Sequence, residues 1–164
     1  MDEAQFWQII DSAWDSSPDL KAHRESALKT LSDPEWKEEH EGFIEDEELL
    51  IEAISEALDQ LSQDDLLQFD RILEQKLYDI DREEIQEHTD GSDDGFLYCR
   101  GYIVAIGKQY YDAINTEPSK ATLDRECESI AYISANLYED KFGELPPSGI
   151  CRETASNLAG WSDE

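Results

Sequence analysis

The sequence predicts an all-α fold, a compact single-domain bundle of about six helices with an irregular C-terminal tail. Apolar residues recur at spacings of three and four over most of the chain, which is the period of one helix face. Capping residues, prolines and glycines separate these stretches, and no stretch shows the alternation of a β-strand. The 164 residues are enough to bury one core, so we expect a helical domain over residues 1–145 and a tail over residues 146–164.

Caps and apolar faces predict the first two helices. Asp2 can cap a helix over residues 3–15. Its apolar face consists of Phe6, Trp7, Ile10, Ala13 and Trp14. Ser17 followed by Pro18 is typical of a cap and a first helical residue, and the second helix is expected to continue to Leu31.

A polar segment over residues 33–42 follows, and we predict a loop there that contains Trp36. The third helix is predicted over about residues 44–61. Its core face consists of Ile51, Ile54, Leu58 and Leu61. Ser62 can cap a fourth helix. The apolar face of the fourth helix consists of Leu66, Phe69, Leu73, Leu77 and Ile80.

Ser92 can cap a fifth helix, with Asp93 and Asp94 in the first turn, where the helix dipole favours negative charge. This helix is predicted to continue to Ile114. Gly107 lies on its apolar face, so another helix is expected to approach closely there.

A sixth helix is predicted after Pro118, with Gly143 as its C-terminal cap. Its apolar face consists of Leu123, Cys127, Ile130, Ala131, Ser134, Leu137 and Tyr138. The tail that follows contains two prolines and Trp161, and we expect it to be irregular or only partly ordered.

The charge of the chain restricts its partners. Forty-one Asp and Glu against 13 Lys and Arg give a net charge of −28, which repels nucleic acid and anionic lipid and attracts basic proteins. No stretch approaches the ~18 consecutive apolar residues of a membrane span. Three widely separated cysteines indicate reduced thiols and a cytoplasmic location; they are Cys99, Cys127 and Cys151. Proteins adapted to high salt are also acidic, so the charge has an explanation without a partner.

Five carboxylates recur along one face of the third helix, and we call them the acidic row. They are Glu45, Glu48, Glu52, Glu56 and Asp59. At ~100° per residue they occupy an arc of roughly 80° opposite the core face. Like charges at these spacings weaken a helix by about 0.2–0.5 kcal/mol per pair, so the row is unfavourable for local stability. It is either a solvated face of an acidic protein or a docking face for a basic partner, to which Trp36 would add a contact.

The docking hypothesis predicts a class of partner. Neighbouring carboxylates of the row lie ~5–6 Å apart on a helix, and this spacing is not far from that of phosphates along a DNA strand. A protein with such a row can occupy a nucleic-acid-binding surface. The sequence therefore favours a non-enzymatic inhibitor, or immunity-type antidote, that binds a nuclease or another nucleic-acid-binding protein.

Catalytic, metal and cofactor sites are not predicted. The three histidines lie apart from one another and from any cysteine at zinc-ligand spacing; they are His23, His40 and His88. Asp93 and Asp94 are adjacent on a helix and point ~100° apart, so an ion pair with Arg100 is the simpler role for them. The alternative is an enzyme or anion-sensing domain with its site between Ser92 and Arg100.

Two segments resemble a known family. The chain opens with Phe6-Trp7-Gln8-Ile9-Ile10 and later has Ser92-Asp93-Asp94-Gly95-Phe96, followed by Tyr98, Arg100 and Gly101. These segments resemble the bacterial domain-of-unknown-function 4240 family. The chain departs from that pattern by a Glu-rich insertion around residues 35–48, and by Cys99 and Tyr102 where Phe and Trp are expected. The resemblance implies a compact helical module and implies no particular activity.

Overall fold

The computed structural model describes residues 1–39, 47–89 and 92–162. These residues form nine α-helices and three short 3₁₀ helices, with no strand among them, so the all-α prediction is confirmed. The α-helices are α1 (Glu3–Trp14), α2 (Pro18–Lys29), α3 (Pro34–Glu39), α4 (Glu47–Asp59), α5 (Gln63–Asp79), α6 (Glu83–Gln86), α7 (Asp93–Ile106), α8 (Lys108–Thr116) and α9 (Ile133–Phe142). The 3₁₀ helices are Pro118–Lys120, Ser129–Tyr132 and Leu158–Gly160.

The four predicted N-terminal caps are confirmed. In each, a side-chain oxygen accepts a hydrogen bond from the backbone N–H three residues later, which the helix itself leaves without a partner. The capping residues are Asp2, Ser17, Ser62 and Ser92.

The predicted loop over residues 33–42 is wrong where the structure has α3. Asp33 accepts a hydrogen bond from the backbone N–H of Trp36 at 3.0 Å, and Pro34 is the first helical residue. Asp33-Pro34 is thus the same kind of start signal as Ser17-Pro18, and the acidic composition that follows it does not prevent a short helix. Residues 40–42 lie outside the described residues.

The predicted fifth helix is two helices, α7 and α8, because the chain breaks at Gly107. Its φ of +109° and ψ of −179° are accessible essentially to glycine alone. A Cβ atom there would overlap the carboxylate of Asp11 on α1 and the guanidinium of Arg24 on α2. Side chains of α1 and α2 therefore lie close to Gly107, although this glycine ends a helix and does not lie within one as predicted.

The predicted sixth helix is wrong before Ser129, although α9 and its left-handed cap at Gly143 are confirmed. Residues 121–128 form an irregular segment that crosses α7. The backbone N–H of Cys127 donates to the carbonyl of Tyr98 at 3.0 Å, and Gly101 has no side chain to obstruct the Cys127 carbonyl. Backbone hydrogen bonds to other segments, from Cys127 to α7 and from Asp124 to the Thr89 carbonyl at 3.2 Å, form here in place of helical ones.

Helix α4 positions the acidic row because it packs between α1 and α9. Leu50, Ile54 and Leu58 on its inner face are fully buried. Ile51 and Leu61 are only half-buried, so the core face is rotated slightly from the predicted one, with Ile54 at its centre and Leu50 and Leu58 on either side. The four carboxylates of the acidic row that the structure describes lie on the opposite face.

The C-terminal tail is irregular, as predicted, but it is bound to the bundle. The indole Nε1 of Trp161 donates to the Asp81 carbonyl at 3.1 Å, and the backbone N–H groups of Ala155 and Asn157 donate to the Asp81 carboxylate. These contacts hold the tail against the segment that joins α5 and α6 as far as residue 162. In the described part of the chain, no helix has both the length and the apolar character needed to cross a lipid bilayer.

Candidate functional site

The acidic row is exposed on a regular helix. Glu48, Glu52, Glu56 and Asp59 are all exposed, and they lie on the 13-residue α4, whose inner face is fixed in the core. Glu45 lies outside the described residues. The four described carboxylates therefore project from one rigid support.

The chain's own cations leave most of the described row without a counter-ion. Lys141 Nζ lies 3.1 Å from Asp59 Oδ1. Among the described residues, no Lys or Arg nitrogen lies within 4.0 Å of the carboxylates of Glu48, Glu52 or Glu56. At least eleven of the 13 Lys and Arg form ion pairs inside the chain, ten of them with carboxylates outside the row. The negative potential of these three glutamates is thus available to a partner.

Trp36 holds α3 against α2. Its indole Nε1 donates to the Ser26 carbonyl at 3.1 Å, and Lys29 Nζ lies 3.6 Å from the centroid of its ring. The ring is half-buried in this position. Trp36 therefore has a structural role in joining two helices, in addition to the partner contact predicted for it.

A groove lies beside the acidic row, between α1 and α4, and sequence reasoning did not predict it. Its volume is about 500 Å³, and we call it the α1–α4 groove. Helix α4 contributes Ala53, Glu56 and Ala57, and α1 contributes Gln5, Gln8, Ile9, Ser12 and Ala13. The sequence shows the small residues Ala53 and Ala57 at i and i+4 beside the acidic face, but it does not state which helix packs next to them, so the groove could not be predicted from it.

The Ser92–Phe96 segment starts α7 and packs its first turn into the core. Gly95 and Phe96 are buried, and the Phe96 ring meets the Trp161 ring edge-on, with centroids 6.0 Å apart. The side chains of Asp93 and Asp94, and hence their predicted ion pair, lie outside the described residues.

Arg100 is fully buried and binds the backbone of two other segments. Its two terminal nitrogens donate to the carbonyls of Leu77 at 2.9 Å and Arg152 at 3.0 Å. Desolvation lowers the pKa of the guanidinium, and the Asp81 carboxylate 3.9 Å away opposes that shift. Arg100 thus connects α7 to α5 and to the tail, and its terminal N–H groups already have acceptors.

A second buried ionic cluster, on α5, was not predicted. Asp70 Oδ1 accepts hydrogen bonds from Arg152 Nη2 at 2.6 Å and from the Ser134 hydroxyl at 2.7 Å. Glu74 Oε1 lies 3.4 Å from the same guanidinium. Asp70 and Glu74 fall at helical spacing on the apolar face of α5, so a sequence signal for buried carboxylates existed. Among the described residues, no group of three or more His, Cys, Asp or Glu is arranged to hold a metal ion.

Comparisons with known proteins identify the family. A family model described as "Protein of unknown function (DUF4240)" matches residues 35–140, which is more than half of the chain and runs from α3 to α9. No curated protein and no solved structure matches the chain. The match confirms the resemblance found in the sequence, and the chain belongs to the DUF4240 family.

Proposed function

We propose that this protein is a non-enzymatic interaction module that binds a basic partner through the acidic row. The observation that supports the proposal is the exposure of Glu48, Glu52 and Glu56 on one helix face, with no Lys or Arg of the described chain within 4.0 Å. The class of partner that fits is a bacterial nuclease or another nucleic-acid-binding protein in the cytoplasm, and the protein would act as its inhibitor or immunity-type antidote.

Two physical effects favour such binding. The helix fixes the backbone positions from which the carboxylates project, so no chain segment has to be ordered before association. A net charge of −28 also attracts a basic protein over a distance of about one Debye length, which makes association fast and sensitive to salt. A surface that binds phosphates would then be occupied by carboxylates, and nucleic acid would be excluded.

Affinity capture from lysate of the source cells, with identification by mass spectrometry, tests the proposal. The test variant carries Glu48→Lys, Glu52→Lys and Glu56→Lys. The control carries Glu87→Lys, Glu139→Lys and Glu144→Lys, which makes the same change in net charge at exposed sites outside α4. We expect wild type and the control variant to capture a basic protein at about 0.05 M salt, and the test variant to capture none of it. The captured protein should be released at about 0.5 M salt.

The same experiment separates the proposal from its competitors. Capture that is equally strong at both salt concentrations, or that survives reversal of the row, contradicts the proposal. If acidity is only adaptation to high salt, the test and control variants behave alike. As a second readout, wild-type protein should inhibit nucleic-acid binding or cleavage by the captured partner, and the test variant should not.

The alternative of an anion-sensing site between Ser92 and Arg100 gains no support from the guanidinium. Its terminal nitrogens bind backbone carbonyls of α5 and of the tail.

A further inference from the structure

We infer that the partner docks an amphipathic helix with a basic flank into the α1–α4 groove. This inference rests on the proposed function and specifies the element that the partner presents. It starts from the position of the groove, because Glu56 belongs both to the acidic row and to the groove lining. A partner bound to the row therefore lies over the groove.

The groove is long enough for a helix. A second hollow of about 290 Å³ continues it and shares Ser16, Ala53 and Glu56 with it. Together the two hollows follow α4 from Leu49 to Ala57, a distance of about 12 Å at ~1.5 Å per residue, and reach Leu61 beyond the end of that helix. A docked helix of two to three turns fits that length and presents anchors at i, i+3 or i+4, and i+7.

The groove contains apolar side chains that the protein itself covers incompletely, between polar residues of α1 and α4. Leu49 is 48% exposed, and Ile9, Ala53, Ala57 and Leu61 are only half-buried. Ala53 and Ala57 on α4 and Ser12 on α1 are too small to fill the space between the two helices. An apolar ridge on the partner would cover this surface.

The charges that line the groove restrict which segment can bind there. Glu52 and Glu56 line the groove on the α4 side, so a helix in the groove places one flank against these two carboxylates. Lys or Arg residues on that flank would form ion pairs with these two carboxylates. Asp65, at the end of the groove near Leu61, already pairs with the Met1 ammonium at 3.0 Å, so the basic residues belong on the Glu52 side. The net charge of −28 opposes a second copy of this chain in the same place.

Fluorescence anisotropy with two labelled peptides tests the inference. The first is a synthetic peptide of about 14 residues, with leucines at i, i+3, i+4 and i+7 and lysines elsewhere. The second has the same composition, with the leucines spread around the helix. We expect the first peptide to bind at least about tenfold more tightly at about 0.1 M salt.

Substitutions locate the binding site. Ala53→Trp fills the groove without changing the charge and should weaken binding of the first peptide by about tenfold, with the second peptide unaffected. Leu49→Ser, at an exposed position, should weaken the same peptide if Ala53→Trp does not fold. Reversal of Glu48, Glu52 and Glu56 should weaken both peptides.

The outcomes distinguish the two proposals. Equal binding of the two peptides, or unchanged binding to Ala53→Trp and Leu49→Ser, overturns the inference. If reversal of the row still weakens both peptides, the proposed function stands without the groove. If reversal has no effect either, both fail. A homodimer that Ala53→Trp dissociates would assign the groove to a second copy and would also overturn the inference.

Discussion

Arg152 in the C-terminal tail binds Asp70 on α5 across 82 residues of sequence, with Nη2 2.6 Å from Oδ1. Both side chains are buried, and Glu74 Oε1 lies 3.4 Å from the same nitrogen. The guanidinium thus lies beside two buried carboxylates and also donates to the backbone carbonyl of Ala131, in the 3₁₀ helix before α9. Through this contact the tail is part of the bundle and does not merely follow it.

Arg152→Ala should lower the free energy of unfolding by about 3–5 kcal/mol, because it leaves Asp70 buried without a cation and Glu74 with only the half-buried Arg71. Urea unfolding followed by circular dichroism measures the loss. Arg71→Ala is the control, since Arg71 pairs with Glu74 at 3.4 Å from a side chain that is 32% exposed, and we expect about 1 kcal/mol or less. Similar losses in the two variants would contradict a special role for Arg152.

Local signals in the sequence predict much of this fold. Each correct cap depends on residues within one turn, and the missed helix α3 had such a signal in Asp33-Pro34. The other errors came from contacts between distant segments. Arg24 on α2 donates from Nε to the Ile106 carbonyl at 2.9 Å, beside the break at Gly107, and Arg152 meets its partner 82 residues away. The spacing of residues along one helix reveals neither of these contacts.

The candidate site divides in the same way. The acidic row follows from the period of one helix, so the exposure of Glu48, Glu52 and Glu56 could be predicted. The groove beside it depends on which helix packs next to α4, and the sequence does not state that α1 and α9 are its neighbours. In the described part of the chain, Glu48, Glu52 and Glu56 have no Lys or Arg nitrogen within 4.0 Å, and this likewise depends on where the cations of other elements point.

Gly107→Ala should destabilise the protein by at least about 2 kcal/mol, because its backbone conformation is essentially confined to glycine and a Cβ atom would also overlap Asp11 and Arg24. Gly143→Ala is the matched control. Its φ is +77°, and no atom lies within 4 Å of the added Cβ, so only the backbone cost of about 1–2 kcal/mol applies. Thermal unfolding of both variants tests whether Gly107→Ala is the more destabilising substitution. An equal or larger loss of stability in Gly143→Ala would contradict the prediction.

Asp65→Asn should destabilise the protein at neutral pH and have less effect in acid. A hydrogen bond from the Met1 ammonium, and a weaker contribution from Ser62, hold the pKa of the Asp65 carboxyl below its ordinary value. A folded-state pKa below the unfolded one, near about 3.9, means that the carboxylate stabilises the fold above that pH. This contribution is lost as pH falls through the folded-state pKa.

Urea midpoints of wild type and Asp65→Asn, at about pH 7 and about pH 3, check this prediction. The difference between the two proteins should shrink on acidification. Acetylation of the N-terminus, which removes the ammonium charge, should reduce the effect of Asp65→Asn in the same way. A difference that is independent of both pH and acetylation would show that the charge pair is not responsible.

Glu52→Gln should stabilise the protein while weakening its binding to a basic partner. Glu52 lies between Glu48 and Glu56 at i−4 and i+4, so the substitution removes two like-charge pairs. At about 0.2–0.5 kcal/mol per pair, the free energy of unfolding should rise by about 0.4–1 kcal/mol at low salt. The gain should disappear at about 1 M salt, where the Debye length is about 3 Å.

The matched control for Glu52→Gln is a substitution that should change stability in the opposite direction. Glu25 on α2 lies between Lys21 and Lys29 at the same spacings, although these lysines make their ion pairs with Asp15 and Asp33. Glu25→Gln therefore removes only the weaker attraction of two nearby opposite charges and should lower the free energy of unfolding by up to about 0.5 kcal/mol. Urea unfolding of both variants at low and high salt measures the contrast. If Glu52→Gln destabilises the protein, the carboxylate makes a favourable contact within the fold. The acidic row would then contribute to stability, and selection for a partner would not be needed to explain it.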